Sequence, residues 1–307
     1  MNRDEWWKNF ALGMEVDASG TFIYNGIHAL DGLESFHHPV DVFEVLYNLS
    51  IGIERLLKVA IVLIEHDQHT DMETFEESLK SHNTVALAQR VGKGVDIDLS
   101  SVQWEFLSLL ATFYKTHRYG RYSLSAVPDI EEEKKMFLIY ISKHLNIPLA
   151  TGDDFFPAQN TDRIRKFIGR VVKGIIWKVF SIIGRESTRL NIYTTELRGD
   201  SKALKVFYGE RLDFIDERVK KKEMILYLMS QDARGAHIDL LRSCEPLDLD
   251  PAMTPYYIKA LLNDRDMHFV EGEIDVLYEE VENIAERLGF IGIVDDGNLS
   301  LEGDEEV

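Results

Sequence analysis

Cysteine is almost absent. The 307 residues contain one, Cys244. A single thiol excludes an internal disulfide framework and fits a reducing compartment. Long apolar runs are missing too. The longest aliphatic run, "VAIVLI" at 59–64, is far too short to span a bilayer. The opening stretch "MNRDEWWKNF" carries two acids and no apolar core, so no secretory signal is expected. The chain is therefore expected to be cytoplasmic, with no membrane contact. Basic charge is scarce: 34 Lys and Arg stand against 53 Asp and Glu, a formal net charge of −19. Taken whole, that surface repels phosphates and argues against general nucleic-acid affinity.

Motifs of common chemistries are also lacking. "GKG" at 92–94 does not have Walker spacing, and no G-x-S-x-G elbow occurs. Cys244, in "LLRSCEP", reads as a small buried apolar residue. "EHDQH" places His66 and His69 three apart beside acids, but no second ligand pair accompanies them. They read as a solvated helix end, as do His37 and His38. No metal and no cofactor is expected.

The charge that is present is unevenly spread. Residues 1–157 hold 13 basic and 24 acidic residues, net −11. Residues 158–205 hold 11 and 4, net +7, and residues 206–307 hold 10 and 25, net −15. A basic block thus lies between two acidic ones. It either pairs with its neighbours inside the fold or offers a binding surface.

The apolar pattern is helical. From Val40 to His66, apolar positions recur at three- and four-residue steps, with Pro39 placed to start the helix. A second helix is expected over Asp71–Val91 and a third after Ser100 or Ser101, either of which can cap it. "PDIEEEKKMFLIYISKHL" gives a further helix with acids in its first turn. "NIPLATGDDFFPAQN", 146–160, is rich in breakers and reads as a domain boundary. Beyond it, Ile164, Phe167, Ile168, Val171, Val172, Ile175, Ile176, Val179, Phe180 and Ile183 form one stripe. Arg163, Arg165, Lys166, Arg170, Lys173 and Lys178 lie largely off it, and Thr161 is placed to cap. Glycines 169, 174 and 184 would let a neighbour approach closely. Helices are expected near 200–210, 212–230, 235–243, 252–262 and 271–288. "FIGIVDDGNLSLEGDEEV" predicts a β-hairpin near 290–301, then an acidic tail. The fold class is all-α: a helical bundle over 1–157 and a mainly helical domain over 158–307.

One stretch is dense in functional side chains: "FYKTHRYGRYS", 113–123. His117, Arg118 and Arg121 cluster there, and His82 on another helix can approach them in a bundle. Together they would form a phosphate-binding or catalytic corner, with Tyr119 and Tyr122 as stacking surfaces. The structural alternative is cations at a helix C-terminus, complementing its dipole. Arg163, Arg165, Lys166, Arg170 and Lys173 form the other candidate nucleic-acid surface.

The helix order, with "IERLLK" in the long 40–66 helix and "SHN…L" in the next, resembles the HEPN superfamily over residues 20–145. The resemblance implies an up-and-down bundle, often dimeric, in a bacterial defence, toxin–antitoxin or RNA-processing setting. Many members are metal-independent endoribonucleases with an Arg-x(4–6)-His motif. Here no arginine is followed by a histidine in that window. The expected function is therefore a non-catalytic protein that binds RNA or a protein partner as a homodimer. The alternatives are an endoribonuclease with a divergent Arg/His site and an acidic interaction protein.

Overall fold

The computed structural model describes residues 3–117, 131–148, 158–194, 196–230, 232–263 and 266–293. The fold is all-α, and no β-strand occurs among the described residues. Contacts divide the chain into two units, Met1–Asp213 and Phe214–Val307.

The first unit is organised by α3, Pro39–Glu65, the helix expected from the 40–66 stripe. Val42, Val45, Leu46, Leu49, Ile53, Leu56, Leu57, Ala60 and Ile61 are all buried. Each of the Val, Leu and Ile side chains among them contributes about 1.5–3 kcal/mol on burial. The N-terminal helix runs through α1, Arg3–Trp6, a π-helical turn, Trp7–Ala11, and α2, Leu12–Gly32. It lies along α3. Gly52 allows this approach, since a Cβ there would sit 2.6 Å from Ile23, and the Ser19 hydroxyl donates to its carbonyl at 2.7 Å.

The expected helix over 71–91 is two helices, α4, Met72–Ser78, and α5, Thr84–Gly94. The break falls where Asn83 turns its side-chain oxygen to the amides of Val85 and Ala86. Such a cap favours a new start over continuation. α6, Ser101–Thr112, opens with a capping box between Ser100 and Gln103. It runs into a π-helical turn, Phe113–His117. α7, Glu132–Leu145, ends on a left-handed Asn146. α8, Asp162–Leu190, begins after Thr161, whose hydroxyl makes no capping bond. α9, Lys202–Tyr208, completes the unit by packing on α2.

The division lies at 213/214 rather than at 157/158, because α8 is built into the first unit. Its apolar stripe is buried and packs on α3. The segment leading into it is stapled to the end of α2. The buried Asn160 amide donates to the carbonyls of Leu30 and Leu33 at 2.6 and 3.0 Å, and the Phe36 amide donates to Ala158 at 2.8 Å.

The second unit holds α10, Ile215–Met229, α11, Ala236–Ser243, α12, Thr254–Leu262, α13, His268–Glu279, and α14, Ile284–Gly292. The helix expected over 271–288 is again interrupted, at 280–283, where the Asn283 side chain caps α14. α14 also takes up Phe290–Gly292, so the expected hairpin does not start there; residues 294–301 lie outside the described set. Cys244 is half-buried rather than buried. The Tyr257 phenol donates to Glu273 at 2.7 Å, and desolvation followed by that carboxylate pushes it up to about 12. No helix among the described residues is long and apolar enough to cross a membrane.

Two glycines of α2 give opposite expectations. A Cβ on Gly20 would overlap Ala203 of α9, whereas Gly13 has open space around it. Gly20→Ala should cost about 1–3 kcal/mol through overpacking. Gly13→Ala should stabilise by roughly 0.5–1 kcal/mol through helix propensity. Urea denaturation of the two variants checks the pair; equal midpoints would contradict the α2–α9 packing.

Candidate nucleic-acid interface

The apolar face of α8 is committed to the core, and this decides where its cations stand. Lys166 and Arg170 are exposed, one turn apart, and Trp177 keeps 58% of its surface in solvent. Facing them is the short segment that follows α9. Gly169 brings it close, since a Cβ there would sit 2.5 Å from the Leu212 carbonyl oxygen. Gly174 does the same for Gln103 of α6.

The result is a groove of about 820 Å³ between α8 and residues 210–213. Arg163, Lys166, Arg170, Lys173, Lys178 and Arg211 line it, with Glu210 and Asp213 as the acids. Six cations against two carboxylates leave a local charge of +4 in a chain of −19.

Several of these cations are tethered, mostly to backbone carbonyls. Lys173 donates to Val206 and Phe207 at 2.8 and 3.0 Å, closing the C-terminus of α9. Desolvation holds its ammonium below the ordinary lysine value. Arg163 donates to the Leu145 carbonyl at 2.9 Å. Arg165 reaches Leu33 at 2.8 Å and pairs with Asp162 at 2.9 Å. Lys178 bonds the Asp98 carbonyl and lies 3.3 Å from the Gln103 amide oxygen. A carbonyl brings no full negative charge, so the field of the groove survives except at Lys178, whose ammonium also lies 4.0 Å from the Asp98 carboxylate. Lys166 and Arg211 pair with no carboxylate among the described residues, and Arg170 bonds only the Lys166 carbonyl, at 3.2 Å.

The second sequence cluster is described in part. His117 closes the π-helical turn at 113–117. Arg118, Tyr119, Arg121 and Tyr122 lie outside the described residues. His82 comes close to this turn: its ring lies 4.7 Å from that of Tyr114. Its Nδ1 is 3.1 Å from both oxygens of Glu54, a buried carboxylate that also accepts from Lys58 at 2.6 Å. Neither His82 nor the 113–117 turn lines the basic groove. No group of three or more His, Cys, Asp or Glu able to hold a metal occurs among the described residues.

Sequence reasoning found Arg163, Lys166, Arg170 and Lys173 and also selected Arg165, which points instead to the α2 end. It missed Arg211, which lies in an acidic stretch, and gave Trp177 no role. A surface position adjacent to Gly174 and Lys173 is the only signal that could have marked the tryptophan.

The tethers separate two roles. Lys173→Met should lower stability by about 1–3 kcal/mol, because it leaves carbonyls at the α9 end unpaired. The double variant Lys166→Glu, Arg170→Glu should stay within about 0.5 kcal/mol of the parent, as surface changes do. Chemical denaturation checks both; an unaffected Lys173→Met would contradict the capping role.

No family model, curated protein or solved structure matches this chain.

Proposed function

We propose that this chain is a HEPN-like, non-catalytic binding protein that takes single-stranded RNA in the α8 groove, as part of a defence or stress system. The observation that carries this reading is a net +4 groove with an exposed indole on a chain of net −19. Cations that attract phosphates beside an aromatic face that stacks any base are the parts of a sequence-tolerant single-strand site. From Lys166 to Lys178 the helix rises about 18 Å, room for a few nucleotides. The acidity elsewhere confines phosphates to this one surface.

A labelled oligoribonucleotide titrated at several salt concentrations tests the reading. With Lys166, Arg170 and Arg211 engaging phosphates, log K against log salt should have a slope of about −2. Charge reversal at these three positions should abolish binding. Trp177→Ala should weaken it by roughly tenfold or more, the loss of one stacked base. A slope near zero, or binding indifferent to all four positions, would sink the proposal.

One observation favours the second reading, an endoribonuclease. Glu54 holds Nδ1 of His82, so Nε2, which bonds no described residue, is the nitrogen positioned to take a 2′-hydroxyl proton. Metal-free incubation with RNA, read on a gel, separates the two readings. Cleavage lost in His82→Ala would establish the enzyme; intact RNA beside measurable binding leaves the groove reading standing.

A further inference from the structure

A second cavity, of about 780 Å³, lies between the N-terminal helix and the 66–72 loop. Trp6, Trp7 and Met72 give it apolar walls, and Asp4, Asp67 and Glu76 outweigh Arg3 on its polar side. At its base is His66, which keeps 8% of its surface exposed. The Trp7 and Phe75 rings meet the imidazole edge-on at 5.2 and 5.5 Å.

The hydrogen bonds at this base are one donor short. Nε2 of His66 lies 2.8 Å from the Met72 sulfur. With the imidazole hydrogen on Nε2, toward a thioether that only accepts, Nδ1 presents a lone pair. Nδ1 faces Oδ1 of Asp4 at 3.2 Å, and both atoms are buried without a hydrogen-bond partner. A second proton on the ring would bridge them, but burial first and the Lys8 ammonium next hold the imidazole below its ordinary value. Lys8 itself is occupied by the other Asp4 oxygen at 3.3 Å and by the His66 carbonyl at 3.0 Å. Two buried acceptors therefore face one another, and an unmet acceptor costs about 1–3 kcal/mol.

We propose that this cavity is a guanidinium-binding site. A guanidinium is planar, always charged and purely a donor, with paired N–H groups in a fixed fork. Because both acceptors are buried and 3.2 Å apart, the half-exposed Asp4 side chain must turn toward the cavity and release Lys8 for two of these N–H groups to reach them. The flat face of the cation stacks on indole, and the carboxylates of Asp67 and Glu76 offset its charge. An ammonium lacks the fork, and a neutral urea lacks the charge. The site stands apart from the α8 groove and does not depend on RNA binding.

The chain has four tryptophans, so the test reads indole N–H signals by NMR on the full-length protein. Titration with ethylguanidinium should shift the Trp6 and Trp7 signals saturably and leave Trp104 and Trp177 in place. Ethylurea and ethylammonium should act roughly tenfold more weakly. Asp4→Asn places an amide donor against Nδ1 while its oxygen still serves Lys8, so the fold should be kept and the affinity should fall by a similar factor. A Gly-Arg-Gly peptide that binds like ethylguanidinium would assign the site to arginine side chains. Binding of the small cation alone would assign it to free guanidinium compounds. Equal response to ethylurea, no movement of either indole, or an unchanged titration in Asp4→Asn would overturn the assignment.

Discussion

The contact of α3 with α8 decides what the rest of the first unit can do. α3 is buried along most of its length. α8 has one apolar face, and the core takes it. Its remaining positions lie off the core, and most of the cations interleaved with the stripe, Arg165 excepted, fall on one edge. The same contact explains why the breaker-rich stretch at 146–160 is not the domain boundary. A helix that buries Ile164, Ile168, Val172, Ile175 and Val179 against the bundle belongs to the bundle, whatever precedes it.

Helical periodicity was legible because it is local. The α3 and α8 stripes predict their own burial, and Ser100 predicts its own capping box. Long apolar patterns with breaks were harder to read. The stops near 79–83 and 280–283 are set by Asn83 and Asn283, whose short side chains offer the backbone another partner. No hydrophobic period registers that competition. The hairpin expectation failed at Phe290–Gly292 because alternation over a few residues fits a helix face as well as a strand.

The candidate groove was half legible for a related reason. Its cations sit on one helix and share a period, so Lys166, Arg170 and Lys173 stand out together. Arg211 reaches the groove through the close packing of the segment after α9 on α8, a non-local event that Gly169 permits. The sequence also cannot show how a cation is held. Lys173 and Lys178 look free in a string of letters. In the fold they hold the end of α9 and the loop before α6; Lys173 still lends its charge to the groove, whereas Lys178 shares its charge with the Asp98 carboxylate. Structural anchoring and phosphate attraction are therefore not rivals here, since carbonyl partners allow both.

The central claim is that one basic edge of α8, and no other surface of this acidic chain, meets nucleic acid. Ultraviolet crosslinking to a uridine-rich single strand at low salt, followed by peptide mass spectrometry, tests it directly. The account predicts crosslinks concentrated at Trp177 and in the peptides that cover 163–178 and 210–213. Crosslinks spread over α2, α5 or the second unit, with none on α8, would contradict it.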